Sequence, residues 1–207
     1  MSPQKRTTIT DSQSEKARRG RPAVPRDRIL GAVDELLAAS GTPGAVTMDD
    51  IAAAAGVGKG TLFRAFGSRD GLLDALFAAR LEPWREELHR AGSPIGPGVP
   101  AAERVVAILE QLLNFKLENP ALIAAREMNS TSLLAAPHYV WVHGVLRDLL
   151  EQAGFRAQSA VYTAHLLLGG LQVELIATLK ASGCSDADIR HTLVSTARRV
   201  LGIPADA

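Results

Sequence analysis

Cysteine and aromatic residues are scarce in this chain of 207 residues. The single cysteine, Cys184, excludes an internal disulfide and fits a reducing compartment. Aromatic residues make up only 4% of the sequence, so a core has to be built mainly from Leu, Ala and Val. Long alternating runs of β-branched residues are missing as well. The sequence therefore predicts an all-α protein.

Segments typical of membrane insertion or secretion are also missing. No apolar run is long enough to cross a bilayer without polar interruption, and the N-terminal residues lack the apolar stretch of a secretion signal. We therefore expect a cytoplasmic protein with no membrane partner. The sequence contains neither a glycine-rich phosphate loop nor a serine elbow, and it gives no reason to expect a cofactor.

Positive charge is concentrated at the N-terminal end, although the formal net charge is only +1. The first thirty residues hold eight basic and three acidic side chains. Such a concentration is typical of a segment that contacts nucleic acid. Residues 1–23 are polar and show no hydrophobic period, so we expect a flexible basic arm.

Three arginines of this arm, Arg18, Arg19 and Arg21, are predicted DNA contacts. Residues 19–22 read Arg-Gly-Arg-Pro, which resembles the minor-groove core of an AT-hook. The plain alternative is a solvated basic tail that contributes charge without sequence preference. The motif does not decide between these two interpretations.

Residues 47–66 have the pattern of a helix-turn-helix. Thr47 is a suitable N-cap for a helix over residues 48–55, because its hydroxyl can accept a hydrogen bond from a free backbone N–H. Residues 56–58, Gly-Val-Gly, form the expected turn. In the second helix Leu62 and Phe66 are four residues apart, so both should face inward.

The outer face of the second helix is cationic and carries a hydroxyl. Its residues are Lys59, Gly60, Thr61, Phe63 and Arg64. This composition suits a recognition helix in the major groove. Thr47 and Arg69, which begin the flanking helices, complete the predicted DNA contacts, with Arg69 near a phosphate. The alternative is a surface helix of an ordinary bundle.

The span from Arg28 to Phe77 resembles the DNA-binding region of the TetR family. The matching pieces are IL-x-x-V-x-x-LL, T-x-DDIAAAAGV, GKGTLFRAF and SRDGLLDALF. The family commonly has a phosphate-contacting tyrosine where this chain has Phe63, so only apolar contact is expected there. The resemblance implies a ligand-responsive homodimeric repressor that binds a palindromic operator and is released by a small apolar effector.

The expected organisation is an arm (1–23), a three-helix DNA-binding domain (24–68) and a ligand-binding, dimerising helical bundle (69–207). About nine helices are predicted, near residues 26–40, 48–55, 59–66, 69–90, 101–119, 120–129, 137–153, 158–182 and 186–201. The helix over 158–182 is apolar almost all round, which suggests cover from a partner subunit. The resemblance implies that the last two helices form the dimer. Gly169 and Gly170 fit close helix approach, a bend or a pocket wall equally well.

A helical bundle with a few polar groups is a common site for a small molecule. The candidate effector contacts are Trp84, Phe115, Arg126, Tyr139, Trp141, His143, Tyr162 and His165. Each has a plain structural alternative as a packed or hydrogen-bonded core residue. An interior cavity of several hundred Å³ would favour a sensor, whereas a densely filled bundle would favour an architectural DNA-binding dimer without an effector.

An enzyme with a metal or acid-base site is a third reading. It would draw on His138, His143, His165, Glu127 and Glu174. However, His138 and His143 are five residues apart, so on a helix they diverge by about 140° and do not form the i, i+4 pair of a zinc helix. We therefore expect neither a metal site nor an enzyme.

The basic arm gives a first testable prediction. Deletion of residues 1–21 should reduce the dependence of DNA affinity on salt, because each lost phosphate contact lowers the slope by about one. Titrations at several salt concentrations measure this slope. An unchanged slope would show that the arm does not contact DNA.

Overall fold

The computed structural model describes residues 24–40, 43–127 and 133–204. These ranges contain ten α-helices and no strand. The helices are α1 (Arg26–Ala39), α2 (Met48–Ala55), α3 (Lys59–Phe66), α4 (Arg69–Glu87), α5 (Ala101–Glu118), α6 (Pro120–Glu127), α7 (Pro137–Gln152), α8 (Ala157–Gly169), α9 (Val173–Ala181) and α10 (Asp186–Val200). Short 3-10 turns lie at Pro43–Ala45 and Leu133–Ala135. The all-α prediction is confirmed.

The number of helices differs from the prediction at one place. The predicted helix over 158–182 is two helices, α8 and α9, which meet at a bend of 43°. Helix α8 ends at Gly169, Gly170 is its C-cap, and α9 begins after Gln172. Of the three roles considered for the glycine pair, the structure therefore shows the bend. The break between α8 and α9 was not predicted, because the sequence is apolar on both sides of it.

Helix α4 also ends earlier than predicted, at Glu87 instead of residue 90. Residues 88–99 follow as turns in the stretch rich in proline and glycine, as expected for residues 91–100.

Two hydrophobic clusters organise the described chain. The first, which we call the head core, is formed by buried side chains of α1, α2, α3, α4 and α6. The second, the body core, is formed by α5, α7, α8, α9, α10 and the segment with Leu88 and Ile95. Leu81 is buried in the head core and Leu88 in the body core, so the far end of α4 lies at the junction.

Helix α6 belongs to the head core, although it follows the body helix α5 in sequence. Its residues Leu122, Ile123 and Ala125 are each at most 3% exposed and pack with α1 and α4. The predicted boundary between residues 68 and 69 therefore does not coincide with the boundary between the two cores. Helices α1, α2 and α3 need α4 and α6 to bury their apolar faces.

Arg69, the first residue of α4, holds this arrangement together. Its Nε donates to the carbonyl of Val46 at 2.7 Å, its Nη1 to that of Ala125 at 3.3 Å, and its Nη2 to that of Gly44 at 3.4 Å. One partly buried guanidinium thus joins the start of α4 to α6 and to the segment before α2. Hydrogen bonds from a charged donor are among the stronger ones in proteins.

No single helix in the described part of the chain is long and apolar enough to cross a membrane. Helices α8 and α9, taken together across their bend, do have the length and composition of a broken span. One face of α8, with Ala160, Ala164 and Leu167, is nevertheless buried in the body core.

The role of Arg69 predicts a stability effect. Arg69→Gln should lower the free energy of unfolding by about 1–3 kcal/mol, because three carbonyls lose a charged donor. Denaturant unfolding measures the change. Arg147→Gln is the matched control, since Arg147 pairs only with exposed Asp148 on α7 and should change stability by less than about 0.5 kcal/mol. Equal small effects of the two substitutions would contradict the role of Arg69.

Candidate functional site

Helix α2 begins with the predicted cap. The Thr47 hydroxyl accepts from the backbone N–H of Asp50 at 3.2 Å, and the Asp50 carboxylate accepts from the Thr47 backbone N–H at 2.8 Å. These bonds form a capping box. The hydrogen bonds from Thr47 also lower the pKa of the Asp50 carboxyl. The first helix of the motif is therefore fixed at its start by its own sequence.

The turn between α2 and α3 depends on Gly56. Its φ is +65°, a left-handed conformation that favours glycine. The other glycine of the turn, Gly58, has a φ of −75°, which other residues adopt as well. Gly71 is required for a different reason, because a Cβ there would lie 2.2 Å from the Phe66 carbonyl oxygen. Helix α4 can therefore start directly against the end of α3.

Helix α3 places its apolar and polar faces as predicted. Leu62 and Phe66 are buried in the head core, with Val57 packed against it. All five residues of the predicted reading face, Lys59, Gly60, Thr61, Phe63 and Arg64, are exposed. Phe63 is 44% exposed, which is unusual for a large apolar side chain in a small domain. The exposed face of α3 is thus cationic, with one apolar side chain at its centre.

Lys59 has a partner that the sequence reasoning missed. Its Nζ lies 2.9 Å from Oδ2 of Asp49 on α2, and both side chains are largely exposed. The ion pair bridges the two helices of the motif. Such exposed pairs contribute little to stability. Its partners are ten residues apart across a turn, so no simple sequence period indicates it.

The other predicted DNA contacts have varied positions. Arg69 donates to three backbone carbonyls, so its guanidinium is engaged inside the protein instead of pointing toward a phosphate. The Thr47 hydroxyl is engaged in the cap, although the residue is exposed. Arg18, Arg19 and Arg21 lie outside the described residues.

A cavity of about 60 Å³ lies between the head core and the body core. It is lined by Phe77, Leu81, Leu112, Phe115, Lys116, Ile123, Arg126, His138, Tyr139, Val142, Leu168, Leu171 and Gln172. Three predicted effector contacts, Phe115, Arg126 and Tyr139, are among them. The volume is well below the several hundred Å³ expected of a preformed effector pocket.

The remaining predicted effector contacts lie elsewhere. Trp84 and Trp141 pack edge to face with ring centroids 5.3 Å apart, and neither lines this cavity. The rings of His143 and His165 pack at a tilt between α7 and α8, with centroids 4.0 Å apart, and the Tyr139 hydroxyl lies 2.7 Å from Nδ1 of His165. Tyr162 is 71% exposed on α8. These five residues do not converge on the cavity.

The polar end of the cavity is a cluster of Arg126, His138 and Asp74. The Nε and Nη2 of Arg126 on α6 donate to Oδ1 of Asp74 on α4, at 3.0 and 2.5 Å. Nη2 also lies 3.0 Å from Nδ1 of His138. Burial, and then the charge of Arg126, lower the pKa of His138 to about 4. His138 is therefore neutral near pH 7.

The guanidinium also stacks on an aromatic ring. The Cζ of Arg126 lies 4.1 Å from the ring centroid of Phe77 on α4, and His138 packs against the same ring at 4.5 Å. Arg126 was a predicted effector contact, but its neighbours His138, Phe77 and Asp74 were not predicted to lie beside it. They meet only because α4, α6 and α7 converge, and no local pattern shows that.

In the described residues, no group of three or more His, Cys, Asp or Glu side chains could hold a metal ion. Of the histidines considered for an enzyme, His138 lies apart from His143 and His165, which pack against each other. His138 faces Arg126, whereas Nε2 of His143 lies 3.1 Å from the carbonyl oxygen of Val161.

Comparisons with known proteins agree with this architecture. Residues 29–76 match the sequence model of bacterial regulatory proteins of the tetR family. No curated protein sequence matches the chain significantly. Among solved structures, a putative TetR-family transcriptional regulator from Rhodococcus sp. has a TM-score of 0.62 at 24% identity, over 85% of this chain and 98% of that one. ActR from Streptomyces coelicolor, solved in complex with (S)-DNPA, has a TM-score of 0.57 at 21% identity, over 90% of each chain.

A TetR transcriptional regulator from Rhodococcus sp. RHA1 has a TM-score of 0.56 at 25% identity, over 85% of this chain and 96% of that one. The matched segment covers α2, α3 and the turn between them, together with most of α1 and the first part of α4. The structural neighbours extend the similarity to the body helices. Proteins of this family regulate transcription through a DNA-binding helix-turn-helix and are not enzymes. Residues 29–76 therefore carry the sequence signature of the tetR family of bacterial regulatory proteins, on a chain that shares the fold of solved TetR-type regulators.

Proposed function

We propose that this protein is a homodimeric repressor that binds a palindromic operator through α3 and is released by a small, mostly apolar effector. The observation that carries the proposal is the exposed face of α3, which presents Lys59, Thr61 and Arg64 away from the head core. Lysine and arginine contact phosphates and guanine edges, and threonine contacts either bases or phosphates. Phe63 supplies an apolar contact for a sugar or a thymine methyl group.

The proposed DNA contacts differ from the predicted set at Thr47 and at Arg69. The five exposed residues of α3 remain, together with Arg18, Arg19 and Arg21 of the arm and the backbone around Thr47. Arg69 is now assigned to the support of α4, because its guanidinium already donates to three carbonyls.

An exposed apolar face on α8 supports the proposal of a homodimer. Val161, Tyr162 and Leu166 are 39%, 71% and 54% exposed, and they lie opposite the face that packs in the body core. Leu175 on α9 and Val200 on α10 add to the exposed apolar surface. A second copy related by a two-fold axis would cover this face and present two α3 helices to a palindrome.

The neighbours also support an effector. ActR was solved with a bound small molecule, and another neighbour is described as a putative fatty acid metabolism regulator from Clostridium perfringens. In this chain the cavity lies against α4, so an effector there would act on the helix that supports the head. A coupling of about 1–3 kcal/mol would change operator affinity roughly 5- to 150-fold.

The small volume of the cavity favours a second candidate function, a DNA-binding dimer that responds to no effector. A densely filled bundle needs no ligand to be stable. The two candidates differ in whether any small molecule changes DNA affinity. The same DNA-binding assay with and without a ligand separates them.

The DNA-binding proposal is tested by selection from a pool of random duplexes of about 30 base pairs, long enough for two half-sites one helical turn apart. We expect a palindromic consensus. Lys59→Ala and Arg64→Ala should then weaken binding to that consensus by roughly 5- to 150-fold, with unchanged thermal stability. Arg147→Ala, which removes an exposed arginine from α7, is the matched control and should leave affinity unchanged.

The ion pair of Lys59 allows a sharper test with the same DNA. Asp49→Asn should strengthen binding, because it releases Lys59 and removes a negative charge beside the phosphates. A consensus without two-fold symmetry, or normal affinity of both α3 variants, would contradict the proposed reading surface.

A further inference from the structure

The lining of the cavity between the two cores has an uneven charge. Among the side chains that the structure describes, the charged ones that line it are Arg126 and Lys116, both cationic. His138, which also lines it, is neutral near pH 7 because its pKa is lowered to about 4. The rest of the lining is mainly leucine, isoleucine, valine and phenylalanine. The cavity therefore combines an apolar body with a positive end.

Arg126 is the more buried member of its ion pair. Its side chain is 12% exposed, whereas that of Asp74 is 53% exposed. Asp74 is thus the more solvent-exposed partner, and Arg126, but not Asp74, lines the cavity. A charge in a partly buried position interacts more strongly with an opposite charge than it would in water.

Within the described part of the chain, the guanidinium of Arg126 has fewer acceptors than it can use. Both of its bonds to Asp74 go to the same oxygen, Oδ1, so the pair is not the bidentate arrangement that carboxylates prefer. Its other contacts are to the two ring nitrogens of His138, at 3.0 and 3.5 Å. A neutral imidazole has only one acceptor nitrogen, so one of these contacts sets N–H against N–H. A further carboxylate would supply the acceptors that His138 cannot.

Because the cavity is small, an effector can occupy it only if the helices that line it move. Its volume of about 60 Å³ holds a few water molecules but not an apolar molecule of effector size. An effector can enter only if the lining helices move apart. Three of them are α4, α5 and α6, with Phe77, Phe115 and Ile123 in the wall. The ion pair between Asp74 and Arg126 joins α4 to α6, as does the hydrogen bond from Arg69 to the carbonyl of Ala125.

The geometry points to an effector with an apolar body and a single carboxylate, which takes the guanidinium of Arg126 from Asp74 and thereby separates α6 from α4. This inference rests on the proposed function, since it names the chemical class of the effector for that cavity. The exchange replaces one carboxylate by another at the same cation, so the buried charge of Arg126 is never left without a partner.

Isothermal titration calorimetry of the full chain tests the chemical class. The probes are octanoate and phenylacetate, which carry the same carboxylate on an aliphatic and an aromatic body, with octanamide and phenylacetamide as neutral counterparts. At least one acid should bind, and its amide should bind at least about ten-fold more weakly because the charge-assisted hydrogen bonds are lost. Octylamine should not bind, since the cavity wall is cationic.

Two variants test the exchange of partners. Asp74→Asn should strengthen binding of the acid at least about three-fold, because the competing carboxylate is gone. Arg126→Gln should weaken it at least about ten-fold. Asp148→Asn is the matched control, since it removes an aspartate from an exposed ion pair on α7 and should leave binding unchanged. If Arg126→Gln does not fold, the Asp74→Asn variant still tests the exchange of partners, because it alters the more exposed member of the ion pair.

The experiments distinguish a failure of this inference from a failure of the proposed function. Binding of neither acid at concentrations up to about 10 mM, equal binding of acid and amide, or unchanged or weaker binding to Asp74→Asn would each overturn the inference. If the protein selects a palindrome but binds neither acid, the inference fails and the proposed function stands. If an acid binds as expected but no DNA sequence is selected, the carboxylate site stands and the proposed function fails.

Discussion

The packing of α6 against α4 is the constraint on which the rest of the structure depends. Leu122, Ile123 and Ala125 of α6 complete the core of the helices that carry the recognition surface, although they follow the first helix of the bundle. Arg69 reinforces this packing with a hydrogen bond to the carbonyl of Ala125. A packed core adopts discrete arrangements instead of deforming continuously. A displacement of α6 is therefore either opposed by the packing of the head core or shifts the other helices of that core as well.

In the proposed function, electrostatics at the same junction makes the packing sensitive to a ligand. Arg126 joins α6 to Asp74 on α4 and stacks on Phe77, while burial and the charge of Arg126 keep His138 neutral. The guanidinium of Arg126, whose side chain is only 12% exposed, is stabilised by the carboxylate that faces it. An anion that reached Arg126 would compete with Asp74 and weaken one of the polar contacts between α4 and α6. In the proposed function, this competition gives the bundle a physical route to the proposed DNA-binding surface without contact between ligand and DNA.

Features that depend on local interactions could be predicted from the sequence. The capping box of Thr47 and Asp50 and the left-handed Gly56 set the ends of α2, and the four-residue spacing of Leu62 and Phe66 set the inner face of α3. Features that depend on packing between distant helices were not predictable in the same way. Arg69 has the composition of a phosphate contact but meets carbonyls from two other segments. The break between α8 and α9 lies inside one apolar run, and five of the eight proposed effector contacts face surfaces other than the cavity.

The central claim is that the helices of the DNA-binding head and α6 form one cooperative core. Amide hydrogen exchange of α2 and α3 in the Leu122→Ala variant tests it most directly, because Leu122 is 3% exposed in the head core but lies more than fifty residues after α3. The account predicts that protection of the α2 and α3 amides falls by about 2–5 kcal/mol, the usual effect of removing a buried leucine side chain. Unchanged protection in α2 and α3, with losses confined to α5 and the later helices, would show that the head folds without α6 and would contradict the account.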